Sequence, residues 1–341
     1  MNIVFAHFNS KIPKHLALNL QRSRNIFDKH EIFLITDKVN DKFKIEGVNT
    51  VIYKPSPGWI ISEKTLNHPK NFRDNFWFTS LARFIAISEF ARGNRGEVLH
   101  IESDVILSKH FPFDILSSQK ELFQFPIVNN SLAISSVLYL KNSEAAEILE
   151  QTTLSEVSTN PGTTDMHILR KLSKTHSSFF RALPSLPSNS NVMNHPDTEF
   201  IKVNENLIQT YGGIFDGFDI GKYLFGEDPR NNRGFSRLRR TDLEVYLNPR
   251  KLDFSISSSH DFPEIYDNKK KMFIPIYALH IHCKHYKFFI VDHCSVRIQK
   301  YIRDSRKPSS FDFYPKVFLA SIMFAVLRRI RRFRVYFKAI N

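Results

Sequence analysis

Residues 98–107, VLHIESDVIL, set two carboxylates, Glu102 and Asp104, directly after an apolar run that reads as a buried strand. In open α/β sheets, ligands gather at the carboxyl ends of the strands. Side chains at i and i+2 of an extended segment point to one side, so the pair offers converging oxygens. Converging oxygens suit a hard divalent cation, whose octahedron is completed by phosphate and water. Breaking a sugar–diphosphate bond calls for such a cation, because negative charge accumulates on the departing nucleoside diphosphate. Acidic pairs are also common on surface turns. The buried strand immediately before this one favours the metal reading.

Other residues belong beside that pair. Arg83 shares a helix face with Phe76, Ser80, Ile87 and Phe90, at spacings of three and four. A guanidinium on an apolar stripe must be paired, because an unpaired buried charge is costly. It either grips a diphosphate or sugar, bidentately as arginine prefers, or forms a structural ion pair with an acid such as Glu63 or Glu102. His280 and His282 alternate along a strand-like run, followed by Cys283, Lys284 and His285; with His293 and Cys294 they suggest zinc, but the paired C-x₂-C spacing is missing. Asp165, in NPGTTDMHIL, opens a helix that Thr163 or Thr164 caps, where an acid favours the dipole. Asp216 lies among glycines that allow close backbone approach, and Asp219 nearby reads as solvated. His7 and Asn9, after the first strand, and Asp37, after the second, stand where a nucleotide base and ribose would rest. Trp59 and Trp77 either stack on a ring or fill the core.

The elements that must position these groups alternate. Residues 3–6, 32–36, 50–53 and 98–101 read as strands, and residues 16–27 and 73–90 as helices. This order indicates an α/β domain with a largely parallel sheet. Further strands are expected at 122–125 and 132–140 and a helix at 144–154, with a Pro-, Ser- and Asn-rich loop over 182–198. Residues 1–296 are read as one domain.

The chain has 341 residues, of which 42% are hydrophobic and 24% charged, a balance that argues against disorder. The net charge of +14 is concentrated in residues 297–341, where twelve Lys or Arg face only Asp304 and Asp312; that +10 leaves +4 for the rest. In this tail Leu319, Ile322, Met323, Val326, Ile330, Phe333 and Phe337 form one helical stripe flanked by arginines. The pattern describes a helix lying on an anionic membrane surface or, alternatively, one docked on its own domain. No base-reading or stacking element accompanies the charge, so nucleic acid is not the expected partner. Two cysteines make no disulfide framework and fit a reducing, cytoplasmic compartment. The N-terminal apolar run is too short for a signal-peptide core, and no run reaches the roughly 18 apolar residues of a membrane span.

The triplet between apolar runs resembles the DxD signature of GT-A glycosyltransferases, with Glu102 in place of the first Asp. The resemblance widens to FWFTSLARFIAISEF (76–90), FDGFDIGKYLFGEDPRN (215–231) and ALHIHCKHYKFF (278–289). Residues 1–290 are thus similar to a group of bacterial and viral GT-A-like glycosyltransferases, while NRGFSRLRRTD (232–242) departs from the Asn-Glu expected there. The resemblance implies a Rossmann-like GT-A fold, α/β with a mixed, largely parallel sheet flanked by helices. It implies a nucleotide-diphospho sugar donor, UDP-linked, with Mn²⁺ or Mg²⁺, and a glycan or lipid-linked acceptor. It also implies that His282 joins Glu102 and Asp104 as metal ligand, that Lys284 neutralises diphosphate, and that Asp165 or Asp216 serves the acceptor hydroxyl. Ser103, His7, Asn9, Asp37 and Arg83 are expected around the donor. With the tail, the protein is expected to be peripheral on the cytoplasmic membrane face. A sugar-phosphate nucleotidyltransferase would carry a glycine-rich basic loop after the first strand, and AHFNSKIPKH has no glycine. A non-catalytic adaptor, at a membrane surface or on nucleic acid, would leave the acids merely solvated.

Overall fold

The computed structural model describes residues 1–69, 75–94, 96–128, 131–186, 198–225, 253–255, 262–267, 270–282, 284 and 289–290. The tail at 297–341, most of the 182–198 loop, residues 232–242, and Cys283, His285, His293 and Cys294 lie outside them.

The first half winds as the alternation predicts. Strand β1 (Asn2–His7) leads into helix α1 (Lys14–Ile26), then β2 (Glu31–Thr36) and β3 (Val48–Ile52). Helices α2 (Pro57–Thr65) and α3 (Phe76–Gly93) precede β4 (Val98–Ile101). All three pairings among these four strands are parallel. A short β5 (Val105–Leu107) and α4 (Phe113–Ser118) come next, followed by β6 (Phe123–Pro126), β7 (Val137–Leu140), α5 (Ser143–Thr159), α6 (Asp165–Thr175) and β8 (Phe180–Leu183). The main sheet has the order β3-β2-β1-β4-β7-β6-β8, with only β7 running against its neighbours.

The sheet is covered on both faces, because alternate side chains of each strand point to opposite sides. Ile3, Phe5, Leu99 and Ile101 pack with Leu16 and Leu20 of α1 and Leu116 of α4. Val4 and Val98 pack on the other face with Leu81, Phe84 and Ile87 of α3, Leu149 of α5 and Ile168 of α6. Helix α3 is enclosed for most of its length, so the charge at Arg83 needs an internal partner.

The remaining elements build a second, smaller sheet. They are α7 (Thr198–Tyr211), β9 (Ile214–Phe215), α8 (Asp219–Phe225), β10 (Asp253–Ser255), β11 (Glu264–Asp267) and β12 (Met272–His280). Its order is β10-β11-β12-β5, with β9 beside β12. The chain therefore passes from the main sheet to the smaller one between β4 and β5, at the acidic triplet. Residues 132–140 form a strand only from Val137 onward; Ser135, just before it, turns its hydroxyl to Glu102 instead (2.9 Å). Among the described residues no helix is long and apolar enough to cross a membrane.

Candidate active site

Glu102, Ser103 and Asp104 form a tight turn, closed by the Val105 amide donating to the Glu102 carbonyl (3.0 Å). They are not the extended segment expected from the sequence. The two carboxylates still converge, through a partner 176 residues beyond Asp104. His280 ends β12 directly opposite Val105, and its Nε2 lies 3.3 Å from Asp104 Oδ1 and 3.8 Å from Glu102 Oε2. One donor atom from each of the three falls within 4.8 Å of the others. Two carboxylates and one imidazole at that spacing fit a divalent cation with positions left for phosphate and water.

His280, and not His282, closes this trio. The alternation that would place both rings on one side ends with β12, where the chain turns: the His282 amide bonds the His280 carbonyl (3.1 Å) and the Lys284 amide bonds that of Ile281 (2.9 Å). His282 instead stacks on His280, with centroids 4.0 Å apart and 13° between planes. Its Nε2 is buried without a hydrogen-bond partner among the described residues. Burial, reinforced by His280, lowers the His282 pKa well below the usual imidazole range.

The orientation of His280 is set from behind. Its Nδ1 donates to the Gly217 carbonyl (2.9 Å), which leaves Nε2 to face the acids. Asp216 accepts from the amides of Ile220 (3.0 Å), Gly221 (2.8 Å) and His280 (3.2 Å). Its carboxylate is therefore spent on capping α8 and tying it to β12, and the expected role as a base gives way to a positioning one. Gly221 is needed here, since a Cβ would lie 1.8 Å from the His280 carbonyl oxygen.

Arg83 resolves into the ion pair. Its Nη2 donates to Glu102 Oε1, to Ser135 Oγ (2.6 Å) and to Asp165 Oδ2 (2.6 Å). Asp165 opens α6 with Thr164 as cap, and its second oxygen accepts from the Met166 amide (3.0 Å). Lys284, at a left-handed φ of 51°, places Nζ 3.2 Å from Asp104 Oδ2. Burial resists ionisation of both turn acids. Even so, Arg83 holds Glu102 below the usual range, and Lys284 with His280 holds Asp104 well below it. At Asp165 burial outweighs Arg83 and the carboxyl is raised. Burial alone would lower His280, but Asp104 and Glu102 push it up to about 9.

Beside this centre, at the ends of β1 and β2, His7 Nε2 meets Ser10 Oγ (3.1 Å), and the Asn9 amide donates to Asp37. Asp37 also accepts from the Val39 amide (3.2 Å). Burial lowers the His7 pKa, and Lys284 is near enough to lower it further. Ser103 sits in the turn itself, offering its carbonyl to Asn19 (3.3 Å). Trp59 is core, whereas the half-buried Trp77 stacks on His68 (5.7 Å). The sequence reading missed Ser135 and Asn19; the signal for Asn19 was a polar residue on the apolar Leu16–Leu20 face of α1.

No protein-family model and no curated protein matches the chain. Among solved structures it is similar to the galactosyltransferase LgtC in complex with donor and acceptor sugar analogs (TM-score 0.40, 13% identity, 60% of this chain and 83% of that one). It is also similar to mouse xyloside xylosyltransferase 1 (TM-score 0.37, 8% identity, 62% and 93%). A third likeness is to a cytidylyltransferase from Leptospira borgpetersenii serovar Hardjo-bovis (TM-score 0.33, 14% identity, 54% and 75%). Overlap this loose decides nothing about chemistry, which rests on the site itself.

Proposed function

We propose that the protein is a metal-dependent glycosyltransferase. It would move a sugar from a nucleotide-diphospho sugar, UDP-linked, to a glycan or lipid-linked acceptor. The observation that carries this reading is the convergence of Glu102, Asp104 and His280 where the chain leaves the main sheet, with Lys284 against Asp104. Glu102, Asp104 and His280 would hold Mn²⁺ or Mg²⁺. When bound, that ion supplies positive charge to a leaving diphosphate.

The chain's own residues supply the rest. Lys284 adds charge on the diphosphate side, and its ammonium can pass from Asp104 to a phosphate oxygen. His7, Asn9 and Asp37 line the ends of β1 and β2, where the nucleoside binds. Arg83 keeps Glu102 ionised and holds Asp165 at the start of α6. Asp165, raised by burial, orients the reacting sugar or receives a proton from the acceptor hydroxyl. The basic tail gives the enzyme a reversible hold on an anionic membrane face, close to lipid-linked acceptors.

Calorimetric titration of the full chain with UDP, with and without Mn²⁺, tests the reading. Binding is expected to require the metal, and Asp104→Asn is expected to abolish that metal-dependent binding along with donor hydrolysis. UDP binding that is indifferent to metal and to Asp104 would overturn it.

A further inference from the structure

Asn19 sits on the inward face of α1 and is only 1% exposed. Packing beside Leu16 and Leu20 needs no amide there. The amide instead spans the acidic turn, with Nδ2 donating to the Val105 carbonyl (2.7 Å) and to the Ser103 carbonyl (3.3 Å). These are the carbonyls on either side of Asp104. The Asp104 carbonyl points the other way and accepts from the Ile281 amide (2.7 Å). Three consecutive carbonyls are thus held alternately by α1 and by the segment after β12.

The same helix continues along β5. Arg22, one turn beyond Asn19, donates Nη1 to the Leu107 carbonyl (2.7 Å). Strand β5 has β12 on one edge. On the other edge, side chains of α1 take the carbonyls of Val105 and Leu107, as a neighbouring strand's amides would. Only the Asn19 end of this arrangement reaches the acids.

We propose that Asn19 is a positioning residue for the metal centre, fixing the Asp104 backbone so that its carboxylate stays within reach of Glu102 and His280. The proposal rests on the glycosyltransferase reading, which makes that trio a metal centre. Without the amide, the buried Val105 carbonyl and the part-buried Ser103 carbonyl lose this donor, and an unmet buried acceptor is costly enough to drive the turn to rearrange. Groups behind a first ligand shell typically carry 10- to 100-fold in metal affinity.

The test is Mn²⁺ binding to the full chain, followed by electron paramagnetic resonance without nucleotide, with thermal melting alongside. Asn19→Leu is expected to bind Mn²⁺ about 10- to 100-fold more weakly. Arg22→Met, which strips the far end of the same edge, should lower the melting temperature yet keep Mn²⁺ affinity within about threefold of the parent. Parent-like affinity in Asn19→Leu, or an equal loss in Arg22→Met, would overturn the proposal. If Asn19→Leu does not fold, Asn19→Ser keeps one donor and takes its place; weakened binding supports the proposal and parent-like binding overturns it. A parent that binds no Mn²⁺ removes the metal centre itself, a result distinct from a parent and an Asn19 variant that bind alike.

Discussion

Asp104 and Asp216 are two buried aspartates, each following a short strand and each bonded to His280, yet they are built for different work. Asp104 meets the imidazole and the Lys284 ammonium. Asp216 meets the backbone amide of the same histidine and two amides of α8. The consequence is electrostatic: cations hold Asp104 well below the ordinary carboxylate range, whereas burial raises Asp216 despite its amides and the nearby His280. The Lys284 ammonium can leave Asp104 for a phosphate oxygen and open the carboxylate to a metal, but amides locked in a helix cap cannot leave Asp216. A buried acid is available for chemistry when its partners are able to leave.

Removing each carboxylate separates the two roles. Asp104→Asn should lower sugar-transfer turnover by about 10³-fold or more, roughly 4 kcal/mol of transition-state stabilisation, with little change in melting temperature. Asp216→Ala should do the reverse in the melt, because three buried amides lose their acceptor at about 1–3 kcal/mol each before relaxation. The comparison breaks if Asp104→Asn melts as low as Asp216→Ala. Gly221→Ala attacks the second region without touching a charge. A methyl 1.8 Å from the His280 carbonyl oxygen must push α8 off β12, so a loss of about 3 kcal/mol is expected in denaturant unfolding.

The two histidines sharpen the contrast from the other side. His280→Gln should weaken Mn²⁺ binding about 100-fold, because it removes the nitrogen facing both acids. His282→Gln should change it by no more than about threefold. Equal losses would mean that the stacked pair, and not His280 alone, serves the ion.

Several parts of this arrangement were legible in the amino acids. An apolar run ending in two acids placed the centre at the end of β4. The rule against unpaired buried charge offered Glu63 or Glu102 as a partner for Arg83, of which the structure pairs Glu102. Strand–helix alternation gave the main sheet. What escaped were facts of register. Which histidine meets the acids depends on where β12 stops, and that follows from pairing Val105 with His280 across 175 residues of chain. Glycines around Asp216 signalled close approach correctly, but which atoms approach depends on α8 docking against β12. Asn19 stood out only as a polar residue on an apolar face of α1, and its partners, being backbone carbonyls, leave no trace in composition.

The smallest expected effect extends the comparison to a third buried group, His100 on β4. Its Nδ1 donates to the Val4 carbonyl (3.0 Å), so like Asp216 it is held by the backbone. Burial, aided by the Arg83 charge, pushes its pKa down to about 3, and Glu102 does not offset this. A histidine depressed on folding stays neutral in the fold while the unfolded chain takes up a proton near pH 6.5. Stability is therefore fully present above about pH 6.5 and drains away as pH falls towards 3, by about 2 kcal/mol at pH 5. His100→Gln keeps a donor for Val4 and cannot titrate, so its melting temperature should vary less between pH 7 and 5 than that of the parent. Parallel pH profiles for parent and variant would show that His100 is charged in the fold, and that Glu102 compensates it as Lys284 and His280 compensate Asp104.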